Sequence, residues 1–144
     1  MIALDTNVLL RYLLHDDPLQ TIQTSRLFED NDCILITDIV LAEAVWTLRG
    51  KRYNAQKAEI VTAINALLHN PKLEFESRES VWSALLDYAN APPVITRSGV
   101  RHVDFQDALI IQKAQVVMAA WSEPYEATYT FDLAAQSLEG TKAP

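Results

Sequence analysis

Cysteine and glycine are scarce in this sequence. Among its 144 residues only Cys33 is a cysteine, so the chain can form neither an internal disulfide nor a cysteine-rich zinc site. This excludes the small secreted domains that depend on disulfides, and it favours a reducing, cytoplasmic location. Only three glycines occur and no low-complexity run could act as a linker, so we expect a single domain over residues 1–144.

Long apolar segments and an excess of positive charge are also missing. The longest unbroken apolar run covers residues 116–121, and no basic stretch precedes an apolar one at the N-terminus, so we expect neither a membrane-spanning helix nor a signal peptide. Twelve Lys and Arg residues against 19 Asp and Glu residues give a net charge of −7. Because an acidic chain does not attract nucleic acids or anionic membranes indiscriminately, a bound polyanion would need a local basic patch or a metal ion.

Short apolar segments alternate with stretches of helical periodicity along the chain. The strand candidates are residues 2–4, 33–36, 73–75 and 127–131, and the helix candidates are residues 8–13, 18–28, 38–50, 55–68, 77–91 and 103–121. Strands that alternate with helices predict a parallel α/β sheet with helices on both faces. In such folds the functional groups gather at the carboxyl ends of the strands.

Two acidic residues follow strand candidates directly. Asp5 comes after the first strand and Asp132 after the last, so both carboxylates are expected at the carboxyl edge of the sheet. Asp is also a common N-cap of helices, and for either residue alone capping is the better explanation.

Two further acids lie inside predicted helices. Glu43 has Ile39 four residues before it and Trp46 three residues after it, so a carboxylate interrupts the apolar stripe of its helix. Asp107 has Val103 four residues before it and Ile110 and Ile111 three and four residues after it. No Lys or Arg shares either stripe, and an unpaired buried charge is unfavourable.

The contrast with other acids and the mutual repulsion of carboxylates suggest a shared site. Glu59 and Asp87 have mostly polar neighbours on their helices and are expected to be solvated. Two carboxylates 4 Å apart repel by about 4 kcal/mol at an effective dielectric near 20, so four together require protonation or a bridging cation. An all-oxygen cluster selects Mg²⁺ or Mn²⁺, which suits phosphodiester hydrolysis.

Four short motifs carry a resemblance to a known family. They are Leu4-Asp5-Thr6-Asn7, Leu41-Ala42-Glu43-Ala44-Val45-Trp46, Asp104-Phe105-Gln106-Asp107-Ala108-Leu109-Ile110 and Thr130-Phe131-Asp132. In their order and spacing the sequence resembles the PIN (PilT N-terminus) domain ribonucleases, specifically the VapC-type toxins of bacterial toxin–antitoxin pairs, over nearly the whole chain. The resemblance implies a three-layer α/β/α fold with a short parallel sheet. Because the chain ends soon after Gly140 without a clear final strand, we expect a sheet one strand shorter than in many relatives.

The resemblance also implies the residues of the site. An acidic pocket is expected around one or two Mg²⁺ or Mn²⁺ ions, with Asp5 and Asp107 as the principal direct ligands, and it consists of Asp5, Glu43, Asp107 and Asp132. Asn7 and Thr130 are expected to hydrogen-bond and orient these carboxylates. Asp104 could cap its helix or contact the metal through water, and capping is the preferred expectation. The implied reaction is endonucleolytic hydrolysis of RNA that leaves a 5′ phosphate and a 3′ hydroxyl.

Contacts with RNA and with other proteins are expected as well. The basic residues that could bind RNA phosphates, or could be solvated loop charges, are Arg49, Lys51, Arg52, Arg97 and Arg101. Similar toxins form homodimers and bind a small antitoxin protein, and in relatives a residue at the place of Arg11 lies near the antitoxin tail. Trp46, Trp82 and Trp121 are expected to lie in the core, although part of the apolar area could be interface.

Three other interpretations are weaker or remain open. A phosphatase that forms an aspartyl phosphate needs a second Asp two positions after the first, where this chain has Asn7. A phosphoacceptor receiver domain needs a Lys after a late strand, where this chain has Thr130-Phe131-Asp132. The alternative that remains open is a binding module that keeps the PIN fold without useful turnover.

Overall fold

The computed structural model describes residues 1–144 and divides them between two units, Met1–Arg78 and Glu79–Pro144. The single domain expected from the sequence stays a prediction. Each unit is built from its own helices and strands, and each carries some of the acidic residues that the sequence singled out.

The first unit contains a three-stranded parallel sheet. Its elements are β1 (Ile2–Ala3), α1 (Thr6–Leu14), α2 (Pro18–Asp30), β2 (Ile34–Ile36), α3 (Asp38–Arg49), α4 (Lys57–His69) and β3 (Leu73–Phe75). The strand order is β1-β2-β3, with Ile2 beside Ile34 and Ile34 beside Leu73. The parallel α/β architecture expected from the alternating pattern is therefore confirmed for this unit.

Local sequence explains where these helices begin. The side chains of Asp5, Asp17 and Thr37 accept hydrogen bonds from backbone N–H groups in the first turns of α1, α2 and α3. Pro18 occupies the first turn of α2, where its missing N–H costs nothing. Because the caps of α1 and α3 directly follow β1 and β2, polar side chains collect at the carboxyl ends of these strands.

The second unit contains two helices and two small strand pairs. Its elements are α5 (Arg78–Asn90), β4 (Val94–Thr96), β5 (Gly99–Arg101), α6 (Phe105–Ala120), β6 (Thr128–Tyr129), a 3₁₀ turn (Ala135–Ser137) and β7 (Thr141–Lys142). Tyr88 and Phe105 form an edge-to-face pair with ring centroids 6.1 Å apart in its core. Asp87 was expected to be solvated, but it accepts a hydrogen bond of 2.7 Å from Gln112. The sequence pattern does not show which helix lies beside Asp87, so this contact could not be predicted.

A short final strand is present, which the sequence did not indicate, but it lies with β6 in a separate two-stranded sheet and adds no strand to the β1-β2-β3 sheet. Strand β7 pairs with β6 in parallel, with Thr128 beside Thr141 and Tyr129 beside Lys142. Gly140 precedes β7 with φ +85°, and its carbonyl accepts hydrogen bonds from the Tyr125 hydroxyl (2.7 Å) and the Thr128 N–H (2.8 Å). A strand of two residues, both polar, carries too little periodicity to be predicted from sequence.

Strands β4 and β5 form an antiparallel hairpin that the sequence interpretation did not include. Arg97 and Ser98 form its two-residue turn, and Gly99 follows with φ +117°. Ile95 and Val100 lie opposite each other on the hairpin and are both exposed.

The prediction that the three tryptophans lie in the core is wrong. Trp46 is 71% exposed, Trp121 is 72% exposed, and Trp82 is also exposed. In α3 the buried side is formed instead by Leu41, Ala44, Val45 and Leu48, so this helix has apolar residues on two faces and only one of them is covered. None of the helices has both the length and the apolar character needed to cross a membrane.

Candidate active site

Asp5 and Asp132 are held by the same type of local contact. Oδ1 of Asp5 accepts a hydrogen bond of 2.9 Å from the Val8 N–H, and Oδ1 of Asp132 accepts one of 2.7 Å from the Ala135 N–H. Capping is therefore confirmed for Asp5, the N-cap residue of α1, whereas Asp132 makes the same type of bond two residues before Ala134, the N-cap residue of the 3₁₀ turn. The cap uses one carboxylate oxygen and fixes the direction of the other, so capping and a chemical role are compatible.

Glu43 lies on the exposed side of α3, so its expected position in a buried stripe is wrong. Its neighbours on that side, Ile39 and Trp46, are 77% and 71% exposed. The carboxylate is nevertheless oriented, because the Thr6 hydroxyl donates a hydrogen bond of 2.7 Å to Oε2 of Glu43. The orienting role of Thr6 is not predicted by the sequence motif that contains it, although its place directly after Asp5 could have indicated such a role.

Asn7 and Arg11 share a cavity with Asp5. The cavity measures about 330 Å³, and Asn7 makes no hydrogen bond to a carboxylate in it, so its orienting role stays a prediction. Arg11 forms an ion pair with Asp16 and donates to the Tyr53 hydroxyl at 3.5 Å. Arg11 is thus engaged by a partner other than Asp5.

Asp107 is the acid of the second unit whose pKa is raised. Its carboxyl is half-buried near the start of α6. Burial raises the pKa of Asp107 above its ordinary value, and the negative charges of Asp132 and then Asp104 raise it further, while a hydrogen bond from the backbone of Asp104 acts in the opposite direction. Asp104 and Asp132 therefore each lie close enough to Asp107 to repel its carboxylate.

Asp104 and Thr130 do not make the contacts that were expected of them. Asp104 is the N-cap residue of α6, but its side chain makes no capping hydrogen bond, so the expectation that it caps the helix through its side chain is wrong. Its carboxylate instead adds negative charge beside Asp107. The Thr130 hydroxyl accepts a hydrogen bond of 3.0 Å from the Asp132 N–H, so it holds the backbone of Asp132 rather than its carboxylate.

The basic residues after α3 are exposed. Arg49 ends the helix, and Lys51 and Arg52 follow in a turn. The guanidinium of Arg52 lies 5.1 Å from the centre of the Tyr53 ring. Their contact with RNA stays a prediction.

The hairpin of the second unit carries the other two arginines. Arg97 lies in its turn, and Arg101 ends β5. Arg101 lines a cavity of about 260 Å³ together with Asp132 and Phe131, and it donates a hydrogen bond of 3.1 Å to the Ser98 hydroxyl. A cation and a candidate catalytic acid thus face the same space, while RNA binding by either arginine stays a prediction.

The donor chemistry of these acids suits a hard divalent cation. None of the four principal carboxylates forms an ion pair. No group of three or more Asp, Glu, His or Cys side chains is gathered as a metal cage. Because Mg²⁺ usually keeps several waters and takes only one or two carboxylates together with substrate phosphates, the residues fit such an ion without a preformed cage.

Comparison with known proteins identifies the family of this chain. The PIN domain family matches residues 2–120, which include Asp5, Glu43 and Asp107. Among solved structures, the chain is similar to VapC20 of Mycobacterium tuberculosis, described as a toxin that cleaves the sarcin–ricin loop, with 16% identity and a TM-score of 0.40 over 95% of this chain and 94% of that chain. No curated protein matches the sequence significantly. Because the family match covers most of the chain, the protein belongs to the PIN domain family.

Proposed function

We propose that this protein is a divalent-metal-dependent endoribonuclease. The observation that carries the proposal is the state of Asp107, which is half-buried, has no cationic partner and has its pKa raised by burial and by two neighbouring carboxylates. Such an arrangement destabilises the folded protein, so it is expected where the charge has a function, as in the acidic site of a nuclease. Membership of the PIN domain family supports the same conclusion.

The proposal assigns roles to four carboxylates. Asp5 and Asp107 are the principal ligands of Mg²⁺ or Mn²⁺, and Glu43 and Asp132 complete the acidic set. A bound divalent ion polarises the phosphodiester and lowers the pKa of a water molecule. The hydrogen bonds from backbone N–H groups to Asp5 and Asp132 fix one oxygen of each carboxylate, and this leaves the second oxygen oriented before substrate arrives.

Removal of divalent metal tests the proposal directly. We expect the purified protein to cleave single-stranded RNA in Mg²⁺ or Mn²⁺ and to lose at least about 100-fold in rate in EDTA, because electrostatic stabilisation of the phosphoryl group disappears. Rates are measured with end-labelled RNA, and circular dichroism checks that the fold persists. Addition of the metal after EDTA should restore cleavage.

The matched control for that experiment is an exposed acid outside the candidate site. Glu59→Gln removes one negative charge from α4 and should leave cleavage unchanged. Equal cleavage with and without EDTA would contradict metal dependence. RNA binding without any turnover, in every metal, would favour the alternative of a binding module that keeps the PIN fold.

Thr6 is expected to act as a positioning residue through Glu43. Thr6→Val has nearly the same shape but lacks the hydroxyl that donates to Glu43 Oε2, so we expect kcat to fall about 10-fold with little change in KM. Thr6→Ser keeps a hydroxyl and should restore most of the rate. If kcat falls equally in Thr6→Val and Thr6→Ser in steady-state assays, the hydroxyl has no positioning role.

The biological setting is a further part of the proposal. By its motifs the chain resembles the toxins of toxin–antitoxin pairs, so we propose a small antitoxin protein as partner, a homodimeric assembly and a cytoplasmic location. A small protein encoded beside this chain that binds it and blocks RNA cleavage would support this assignment. Light scattering of the purified protein would test the dimer.

A further inference from the structure

We propose that Phe131 is a stacking platform for an unpaired RNA base and that Arg101 holds the adjoining phosphate. This inference rests on the proposed function, because it assigns a nucleotide subsite to the space beside Asp132. It adds a recognition role for an aromatic side chain to the metal-binding role of the acids.

Phe131 is unusually placed for a phenylalanine. Its side chain is 85% exposed, although aromatic side chains of this kind are usually covered. It stands between Thr130 and Asp132, next to a proposed catalytic acid. No other aromatic ring packs on it, so the exposed ring is available to a ligand.

The backbone that carries Phe131 is held on both sides. The Thr130 N–H donates to the Lys142 carbonyl at 3.0 Å, and the Gln136 side chain donates to the Thr130 carbonyl at 2.7 Å. On the other side, the Asp132 N–H donates to the Thr130 hydroxyl at 3.0 Å. An exposed ring on a fixed backbone loses little conformational freedom when it binds, and this preorganisation favours a binding role.

Arg101 supplies the charge that a nucleotide requires. It lines the same cavity of about 260 Å³ as Phe131, Asp132 and Leu133, and it forms no ion pair. Its guanidinium donates one hydrogen bond, to the Ser98 hydroxyl, so other donors remain for a phosphate. An apolar partner would cover Phe131 and Leu133 but would leave this cation unpaired, whereas a nucleotide offers a flat base and an anionic phosphate together.

The occupant should be single-stranded. In a duplex the faces of each base are already stacked, so only a splayed base can lie on a protein ring. Stacking on an aromatic side chain tolerates every base, since each has a π face. We therefore expect Phe131 to select unpaired RNA without specifying its sequence.

Binding of a fluorescein-labelled single-stranded RNA in EDTA tests the subsite independently of cleavage. Phe131→Ala should weaken binding about 10-fold, and Phe131→Trp should restore or tighten it. Trp121→Ala removes a similarly exposed aromatic side chain at the end of α6 and should leave binding unchanged. Arg101→Gln should lower the slope of log K against log salt by about 0.7, as expected for one lost phosphate contact on a single strand.

An RNA with one abasic nucleotide, moved along the strand, supplies the sharper test. At one position the missing base should weaken binding to the wild type about 10-fold but leave binding to Phe131→Ala unchanged. The reason is that removal of the base and removal of the Phe131 ring eliminate the same contact. Equal binding of all RNAs by wild type and Phe131→Ala overturns the inference, even if metal-dependent cleavage persists. Phe131-dependent binding by a protein that never cleaves RNA would keep the subsite and reject the proposed enzyme.

Discussion

Asp107→Asn is expected to lower the rate of RNA cleavage by at least about 100-fold and to raise the melting temperature of the metal-free protein. The first effect follows from its proposed role as a metal ligand. The second follows from its surroundings, because the ionised carboxylate is half-buried beside Asp132 and Asp104. Asn keeps an oxygen that can accept the hydrogen bond from the Asp104 backbone, but it carries no charge.

The gain in stability should depend on pH with a definite sign. The pKa of Asp107 is higher in the folded protein than in the unfolded chain, so ionisation costs stability. The cost is absent below the unfolded pKa of about 3.9, grows as the pH rises towards the folded pKa and is complete above it. Asp107→Asn should therefore melt roughly 1–3 °C above the wild type at about pH 7, and the difference should vanish below about pH 4.

Thermal unfolding in EDTA at several pH values, followed by circular dichroism, measures this difference. Cleavage assays on the same preparations keep the two effects apart. A variant that loses activity and stability together at neutral pH would contradict the role given to charge repulsion. Unchanged cleavage would remove Asp107 from the proposed site.

Much of the fold follows from short-range sequence signals. The helical periodicity of residues 8–13, 18–28 and 38–50 and the apolar segments 33–36 and 73–75 correctly indicated helices α1 to α3 and the parallel strands β2 and β3. These signals succeed because the period of an amphipathic helix and the composition of a buried strand are set by neighbouring residues.

Other features depend on contacts that periodicity does not contain. Helix α3 has apolar residues on both sides, and the pattern alone did not show that Leu41 and Val45 are buried whereas Ile39 and Trp46 are exposed. For the same reason Glu43 was expected in the buried stripe of α3, although it lies on the exposed side. Strand β7 is very short, and the turn that leads into it is held by bonds to the Gly140 carbonyl rather than by the strand's own composition.

Some features of the candidate site could be predicted from the sequence, and others could not. The identity of the acids came from motifs, and the repulsion around Asp107 agrees with the reasoning that an unpaired carboxylate in a partly apolar setting is costly. The contacts that orient the acids could not be predicted from the sequence. The Thr6 hydroxyl, rather than Asn7, holds a carboxylate, and only three-dimensional proximity between α1 and α3 reveals this bond across 37 positions of sequence.

Substitutions of Asp5 should separate its structural role from its chemical role. Asn is nearly as good an N-cap as Asp, so Asp5→Asn should keep the bond to the Val8 N–H and unfold within about 1–2 °C of the wild type. Its cleavage rate should nevertheless fall by at least about 100-fold, because a neutral amide is a poor ligand for Mg²⁺. Asp5→Ala should lose the same activity and, in addition, about 1 kcal/mol of stability, roughly 2–4 °C in melting temperature.

Asp17 provides the matched control for this comparison. Its Oδ1 accepts a hydrogen bond of 2.9 Å from the Gln20 N–H at the start of α2, which is the same cap that Asp5 makes at α1. Asp17→Ala should therefore melt about 2–4 °C lower, as Asp5→Ala does, and still cleave RNA at the wild-type rate. If Asp5→Asn cleaves RNA normally, or if Asp17→Ala loses cleavage to the same extent as Asp5→Ala, Asp5 acts only as a helix cap and the proposed metal ligand must be another residue.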